Sequence, residues 1–344
     1  MSTTDLATVA KAMVAPGKGI LAADESTGTI EKRFQSIKVE NAEANRRAYR
    51  DMLFTAKDLG KYISGVILFD ETIRQKSADG TPFVELLKNS GILPGIKVDT
   101  GAKPLALCPG ETVTEGLDGL AKRCDEYVKL GAKFAKWRAV VTIGRDIPSA
   151  TCIDANAHAL ARYAAICQQA GLVPIVEPEV LMDGDHSIER CEDVTAWTLN
   201  AVYEALYVHR IALEGSVLKP SMVISGKGAS RQAGVEEVAE RTITVLKRTV
   251  PAAVAGIVFL SGGQSDELAT AHLNAMNHMY AGNLPWPVSF SYGRALQQPA
   301  LKAWKGEAAN VAAAQAALIH RSRMNSLACG GKYAGNLEKQ PAAA

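Results

Sequence analysis

Long hydrophobic runs and excess charge of one sign are both missing from this sequence. No stretch approaches about 18 uninterrupted apolar residues, so the sequence predicts no membrane-spanning helix. The first residues lack a basic start followed by an apolar run, and therefore predict no secretory signal. Lys and Arg number 38 against 36 for Asp and Glu. Such a balance argues against general nucleic-acid binding, which needs a concentrated basic surface.

Cysteine is sparse, and the usual cofactor motifs are absent. The six cysteines include no Cys-x-x-Cys pair, which excludes common structural zinc sites and thioredoxin-like chemistry. Free thiols in a reducing compartment are the simpler interpretation, and we predict a cytoplasmic protein. There is no G-x-G-x-x-G, P-loop, H-E-x-x-H or G-x-S-x-G motif, and the six histidines show no ligand spacing. We therefore predict neither a metal nor another cofactor.

What the sequence does contain is a repeating alternation of short apolar runs and longer segments with helical spacing. The runs are 19–24, 63–69, 95–99, 132–141, 172–179, 217–223, 256–263 and 287–294. Eight strand-plus-helix units of this spacing predict an α/β protein with a single (β/α)8 TIM barrel. An open, doubly wound sheet is the alternative.

The ends of the chain fall outside this alternation. Residues 1–18 and 307–326 predict one extra helix at the N-terminus and another at the C-terminus. No linker or low-complexity stretch divides the chain, so we predict one catalytic barrel domain over 1–329. The segment 330–344 is rich in small and polar residues and predicts a flexible C-terminal tail.

Charged residues interrupt the predicted strands, where lysine is rarely buried without a partner. They are Lys97, Lys136, Lys219, Asp24, Asp99, Glu177 and Glu179. Alternation along a strand puts Lys136 with Arg138, and Glu177 with Glu179, on shared faces. Most of these residues lie toward the C-terminal ends of their strands, where a barrel builds its active site. Structural ion pairs at the barrel mouth are the alternative interpretation.

Lys219 is the predicted nucleophile. A lysine amine with the reference pKa of about 10.4 is almost entirely protonated at pH 7. Apolar neighbours such as Val217 and Leu218, together with nearby positive charge, would favour the neutral amine. That amine can attack a ketone to form a Schiff base, and either Glu177 or Glu179 could supply the acid that dehydration needs.

Two glycine-containing segments predict a phosphate site. Ser261, Gly262 and Gly263 follow the seventh predicted strand, while Gly293 and Arg294 follow the eighth. Loops at these two places in a barrel often bind phosphate through backbone N–H groups and a nearby helix start. Arg294 would add a bidentate donor.

Six long motifs resemble the class I (Schiff-base) fructose-1,6-bisphosphate aldolases. They are 19–28 (GILAADESTG), 134–138 (FAKWR), 175–179 (IVEPE), 218–222 (LKPSM), 259–265 (FLSGGQS) and 290–296 (FSYGRAL). The resemblance implies reversible cleavage of fructose 1,6-bisphosphate to dihydroxyacetone phosphate and glyceraldehyde 3-phosphate in glycolysis and gluconeogenesis. It also implies a homotetramer that acts without a metal ion.

The resemblance further implies roles for individual residues. Lys219 would form the imine, Glu177 would act as acid/base beside Glu179, Asp24 would work at the C4 hydroxyl, and Lys136 would orient the sugar hydroxyls. The residues implied for the C1 phosphate are Ser261, Gly262, Gly263, Ser291, Gly293 and Arg294. Those implied for the C6 end are Lys97, Arg138, Arg33, Ser26 and Thr29.

One departure from the family pattern concerns the C-terminus. Many relatives end in a tyrosine that assists proton transfer on the enamine, whereas this sequence ends in Ala344 and its last tyrosine is Tyr333. Either the tail has been lost, or another residue or water takes that step.

Three other functions compete with this one at the level of sequence. A Schiff-base barrel of different specificity, such as a transaldolase or a fructose-1-phosphate aldolase, would keep Lys219 but change the phosphate contacts. A binding scaffold would not need the catalytic residues, and a zinc-dependent aldolase would need metal ligands.

Overall fold

Eight parallel strands close into a barrel in the computed structural model, which describes residues 3–339. The ring order is β1–β10–β9–β8–β7–β6–β3–β2, so the predicted barrel is confirmed and the open sheet is wrong. The strands are β1 Gly19–Ala23, β2 Ile63–Leu68, β3 Leu93–Lys97, β4 Ala102–Pro104, β5 Thr112–Thr114, β6 Phe134–Val141, β7 Val173–Val180, β8 Val217–Leu218, β9 Ile257–Phe259 and β10 Val288–Tyr292. Each of the eight predicted runs contributes one barrel strand.

Helices surround the barrel. They are α1 Thr3–Met13, α2 Thr27–Gln35, α3 Glu43–Phe54, α4 Asp70–Ile73, α5 Phe83–Asn89, α6 Leu120–Leu130, α7 Ala150–Ala170, α8 Ile188–Val208, α9 Val235–Thr249, α10 Asp266–Met279, α11 Arg294–Trp304 and α12 Val311–Cys329. The two extra helices are therefore present as α1 and α12. Within residues 3–339, no helix is both long and apolar enough to cross a membrane.

The hairpin formed by β4 and β5 was not predicted. Its strands have three residues each and pair antiparallel outside the barrel. Three residues are too few to show the alternation of apolar and polar side chains by which a strand is recognised. The Thr114 hydroxyl donates to the Arg138 carbonyl at 2.7 Å, so the hairpin lies against β6.

The inward faces of the strands change from apolar to polar along the barrel axis. In β6, Phe134 packs in an apolar cluster at the N-terminal end, while Lys136 and Arg138 line the cleft at the other end. Gly95 provides room for the Phe134 ring, because a Cβ at that glycine would lie 2.2 Å from ring atoms. This alternation confirms that Lys136 and Arg138 share a face.

Helix α1 covers the apolar end of the barrel. Leu6, Ala10 and Met13 pack in the same cluster as Phe134, and all three are buried. Burying a side chain of the size of Leu or Met contributes about 1.5–3 kcal/mol. The barrel is thus closed at its N-terminal end, and the polar cleft opens at the C-terminal ends of the strands.

Residues after α12 contact the outer helices. The Tyr333 backbone N–H donates to Asn274 Oδ1 at 2.8 Å, and the Tyr333 hydroxyl donates to Glu338 at 2.9 Å. Glu338 also pairs with Arg321 and lies 3.0 Å from His320 Nε2. The domain boundary at 329 and the flexibility of the segment beyond it stay predictions, and residues 340–344 lie outside the described residues.

Candidate active site

All the predicted site residues line a single cleft at the C-terminal ends of the strands. Its volume is about 690 Å³. The predicted residues in its wall are Asp24, Ser26, Thr29, Arg33, Lys97, Lys136, Arg138, Glu177, Glu179, Lys219, Ser261, Gly262, Gly263, Ser291, Gly293 and Arg294. Side chains from seven different strands and their following loops therefore meet in one space, as expected for a barrel enzyme.

A continuous row of charges crosses the centre of this cleft. Lys219 Nζ lies 3.2 Å from Glu177 Oε1, and Lys136 Nζ lies 3.5 Å from Glu177 Oε2. The same Lys136 Nζ lies 2.6 Å from Asp24 Oδ2. Lys136, Glu177 and Lys219 are each buried, with 3–4% of their surface exposed. Four reactive groups are therefore held within contact distance, three of them buried and the fourth, Asp24, with 12% of its side chain exposed.

The strands fix these positions through backbone hydrogen bonds. The parallel register of β6 and β7 pairs Arg138 with Glu177. Lys219 directly follows β8, and its backbone N–H donates to the Val176 carbonyl at 2.8 Å. Pro220 has no N–H and cannot extend the ladder, which fits the end of β8 at Leu218. Lys219 thus leaves the sheet at the level of Glu177.

The central charges alter each other's proton affinity. Burial alone would raise the pKa of Asp24, but the positive charges of Lys136, Lys219 and Lys97 hold that pKa well below its usual range. Burial alone would lower the pKa of Lys136, but the carboxylates of Asp24 and Glu177 raise it well above its usual range. Asp24 is therefore a carboxylate and Lys136 an ammonium at neutral pH.

Two more ion pairs lie on the β3–β6–β7 side of the cleft. Lys97 Nζ is 3.0 Å from Asp99 Oδ1, and Arg138 Nε contacts Glu179 Oε2. Burial lowers the pKa of Arg138, but Glu179 outweighs that effect and raises it. Asp99 also accepts a hydrogen bond from the Arg138 backbone N–H at 3.3 Å. These pairs hold two cations at one end of the cleft.

Glu25 carries a second buried network that the sequence did not reveal. Its two carboxylate oxygens lie 2.6 Å from Arg33 Nη1 and 2.6 Å from Arg50 Nη2. The Gln297 amide donates to Glu25 at 2.9 Å and to the Ala22 carbonyl at 2.7 Å. Since Arg50 and Gln297 come from α3 and α11, no local spacing signals their meeting. Glu25 thereby orients Arg33 in the wall of the cleft.

The opposite side of the cleft has the geometry of an anion site. Gly262 and Gly263 have φ values of +56° and +90°, which side chains rarely adopt. The buried Ser291 hydroxyl has no hydrogen-bond partner among the described residues. Arg294 begins α11 and is exposed, and no ion pair or hydrogen bond of its guanidinium is found within residues 3–339. The glycine backbone after β9, the Ser291 hydroxyl of β10 and the Arg294 guanidinium are therefore on the same side of the cleft.

The two predicted phosphate ends lie across the barrel from one another. In the ring order, β10 is opposite β6 and β9 is opposite β3. Lys97 and Arg138 therefore face the loops of Ser261 and Gly293.

The five residues expected at the C6 end are not all together, because Arg33 Nη2 lies 3.6 Å from where a Cβ on Gly293 would be. Ser26 and Thr29, whose hydroxyls are 3.1 Å apart, lie at the start of α2, whereas Arg33 lies in the last turn of that helix.

The glycine loop is connected to α10 by a buried histidine. His272 Nδ1 lies 2.6 Å from Gln264 Oε1, and burial lowers the pKa of His272 to about 4. This histidine is neutral in the folded protein at neutral pH.

We expect His272 to weaken the fold as pH falls. Because its folded pKa of about 4 lies below the ordinary histidine pKa of 6.5, the unfolded chain takes up the proton first. Stability is therefore present above pH 6.5 and is lost as pH falls toward 4, by about 2 kcal/mol between pH 7 and pH 5. Urea unfolding at both pH values measures this loss.

The variants His272→Gln and His278→Gln provide the comparison, since His278 is exposed on the same helix. The first should flatten the pH dependence and the second should keep it. Equal slopes in the wild type and His272→Gln would contradict the assignment.

Metal ligands are not clustered in the part of the chain that the structure describes. No group of three or more His, Cys, Asp and Glu side chains there could hold a metal ion. The lysines and carboxylates of the cleft pair with one another instead.

Comparison with known proteins agrees with this geometry. The profile of the family described as Fructose-bisphosphate aldolase class-I matches residues 5–344. The chain is 63% identical over 336 residues to a probable fructose-bisphosphate aldolase class 1 of Xanthomonas campestris pv. campestris, covering 97% of this chain and 100% of the relative. It is 58% identical over 339 residues to the cytosolic fructose-bisphosphate aldolase 5 of Arabidopsis thaliana, covering 98% and 94%.

A solved structure has the same fold along nearly its whole length. It is the fructose-bisphosphate aldolase from Plasmodium falciparum, in a ternary complex with TRAP and a small-molecule inhibitor. The TM-score is 0.95 and the sequence identity 52%, over 97% of this chain and 96% of that one. Sequence, fold and cleft agree, and the chain belongs to the class I fructose-bisphosphate aldolase family.

Proposed function

We propose that this lyase, a class I fructose-bisphosphate aldolase, cleaves its substrate through an imine on Lys219. The observation that carries the proposal is the buried row of Lys219, Glu177, Lys136 and Asp24, in which each neighbouring pair is 2.6–3.5 Å apart. One amine, two carboxylates and one fixed ammonium are the groups that imine formation and retro-aldol cleavage need.

Imine formation begins with the neutral amine of Lys219 attacking the C2 carbonyl of the open-chain sugar. Glu177 Oε1 lies 3.2 Å from Lys219 Nζ, so a proton can pass directly between them. The attacking nitrogen then loses a proton to the C2 alkoxide, and Glu177, which holds the proton that left Lys219, gives it to the resulting C2 hydroxyl, which leaves as water. The product is a protonated imine that remains covalently bound in the cleft.

Cleavage of the C3–C4 bond follows, with Asp24 as the base. The Lys136 ammonium helps to keep the pKa of Asp24 low and so keeps it ionised. Asp24 takes the proton from the C4 hydroxyl, and the electron pair of the C3–C4 bond moves to the imine nitrogen. Glyceraldehyde 3-phosphate forms, and the enamine of dihydroxyacetone phosphate stays on Lys219. Lys136 contacts both Asp24 and Glu177, and can orient the sugar hydroxyls between them.

A bisphosphate fits a cleft that has cationic groups at two opposite sides. We assign the C1 phosphate to the side of Ser261, Ser291 and Arg294, with the glycines that permit close backbone approach. We assign the C6 phosphate to Lys97, Arg138, Ser26 and Thr29. Arg33 borders the C1 side and can contribute there. A fructose-1-phosphate aldolase is the alternative, and the ratio of kcat/KM for the two sugars decides between them.

Protonation of the enamine needs a group other than the last tyrosine. The Tyr333 hydroxyl is bonded to Glu338, and this residue is not in the wall of the cleft. Glu177 is the carboxylate nearest to Lys219, and we assign it this proton transfer as well, after Lys136 has relayed to it the proton that Asp24 took from the C4 hydroxyl.

The remaining parts of the proposal concern cellular context. We propose a metal-independent homotetramer that works in the cytoplasm, in glycolysis and gluconeogenesis. Two plant relatives are named as cytosolic or cytoplasmic enzymes, which supports this location. Full activity in EDTA would agree with metal independence, and light scattering gives the oligomeric state.

Borohydride trapping tests the central step. The enzyme is mixed with fructose 1,6-bisphosphate, reduced with borohydride, digested and analysed by peptide mass spectrometry. We expect a stable adduct on Lys219 and none in a Lys219→Met variant. An adduct on another lysine would show that this lysine, and not Lys219, is the nucleophile. Activity that a chelator abolishes, without any adduct, would indicate metal catalysis instead.

A further inference from the structure

Lys227 lies beside the phosphate loop, although it is absent from every group of site residues described above. A Cβ built on Gly263 would lie 3.3 Å from Lys227 Nζ, 3.1 Å from Arg294 Nη2 and 3.1 Å from Met182 Sδ. The ammonium and the guanidinium are thus close to the same point on the backbone. Lys227 belongs to the loop after β8 and Arg294 begins the helix after β10, so the two cations approach Gly263, which follows β9, from opposite sides.

The backbone of Lys227 is held in place by the loop after β7. Gly226, Lys227 and Gly228 donate from their N–H groups to the carbonyls of His186, Met182 and Gly184, at 2.8–2.9 Å. A Cβ on Gly226 would lie 2.6 Å from the Gly184 carbonyl oxygen, so this close approach requires glycine. The backbone of Lys227 is therefore fixed, and only the side chain has to rotate to change its partner.

The present partner of Lys227 is weakly held. Its Nζ lies 2.9 Å from Asp183 Oδ1, but the side chains are 49% and 63% exposed. Exposed pairs of this kind contribute little to stability because water and salt screen them. A phosphate dianion carries more charge than one carboxylate, and beside Gly263 it could contact both Lys227 and Arg294.

We propose that Lys227 exchanges Asp183 for the C1 phosphate of the substrate and increases affinity at that end. Asp183 competes with the phosphate for the same ammonium and so sets the strength of the contact. The inference rests on the proposed function, because it needs a phosphate at the loop of Gly263. Lys227 is a binding residue here and takes no part in bond breaking.

Steady-state kinetics of Lys227→Met and Asp183→Asn test this proposal. For Lys227→Met we expect KM to rise about tenfold for both fructose 1,6-bisphosphate and fructose 1-phosphate, with kcat within about twofold of the wild type. For Asp183→Asn we expect KM to fall severalfold, because the ammonium loses its competitor. KM should also depend less on salt in Lys227→Met than in the wild type.

Lys129→Met is the matched control, since Lys129 is exposed on α6 and far from the cleft. An unchanged KM in Lys227→Met, or an equal rise in Lys129→Met, overturns the inference. Melting temperatures of all variants confirm that they are folded. A wild-type enzyme that neither cleaves the bisphosphate nor forms an adduct on Lys219 refutes the proposed function itself, which is a different result.

Discussion

Lys219→Arg is expected to lose at least about 10⁴-fold in kcat while keeping its melting temperature close to that of the wild type. A guanidinium stays protonated at any pH at which the enzyme is folded, and so has no lone pair with which to attack the C2 carbonyl. It still places a cation beside the buried Glu177, whose Oε1 lies 3.2 Å from Lys219 Nζ. The measurement is a cleavage assay paired with thermal unfolding.

Lys219→Met separates the two effects, because it removes the polar partner of Glu177 as well as the nucleophile. Its kcat should be as low as that of Lys219→Arg, but its unfolding free energy should be lower, since Glu177 loses a buried partner. Activity of Lys219→Arg within tenfold of the wild type would show that the imine forms elsewhere.

Lys136→Met is expected to destabilise the fold by about 3–5 kcal/mol and to reduce kcat by at least about 10³-fold. Lys136 Nζ lies 2.6 Å from Asp24 and 3.5 Å from Glu177, and it is 4% exposed. Without this ammonium, two buried carboxylates lie near each other with only Lys219 to balance them. Denaturant unfolding and cleavage assays measure the two losses.

The dependence of stability on pH in the acid range should also change in Lys136→Met. In the wild type the folded pKa of Asp24 lies below its unfolded value of 3.8, so its contribution is present above that pH and is lost as pH falls through the folded pKa. Removing Lys136 raises the folded pKa, and acid unfolding then begins at a higher pH. Lys136→Met combined with Asp24→Asn should recover part of the stability but none of the activity. No recovery would show that the charges do not interact.

The barrel and the centre of the site could be predicted because both have local signals. Each strand is a short apolar run, and the period of two places Lys136 with Arg138 and Glu177 with Glu179 on single faces. Polar residues near the C-terminal ends of strands then meet at one mouth, whatever the details of packing. Structure confirms that Lys219 and Asp24 meet there.

The supporting contacts could not be predicted, because they join segments distant in the sequence. Glu25 meets Arg50 and Gln297 only after α3 and α11 have packed around β1. Lys227 reaches Gly263 because three backbone hydrogen bonds fix its loop, and no periodicity encodes them. The sequence does not distinguish Arg33 from the other charged residues of α2, because its contact with Glu25 forms only in the folded protein.

The pairing of cations with carboxylates determines which anions the cleft can retain. The pairs in its wall are Lys97–Asp99, Lys136–Asp24, Lys219–Glu177, Arg138–Glu179 and Arg33–Glu25. A chloride or a free phosphate gains little there, because it must displace a carboxylate that is already in place. A doubly phosphorylated sugar makes several such exchanges at once, at both sides and with its hydroxyls between them. At these five pairs, retention of a ligand then depends on how many contacts it makes together, so they disfavour the abundant small anions of the cell.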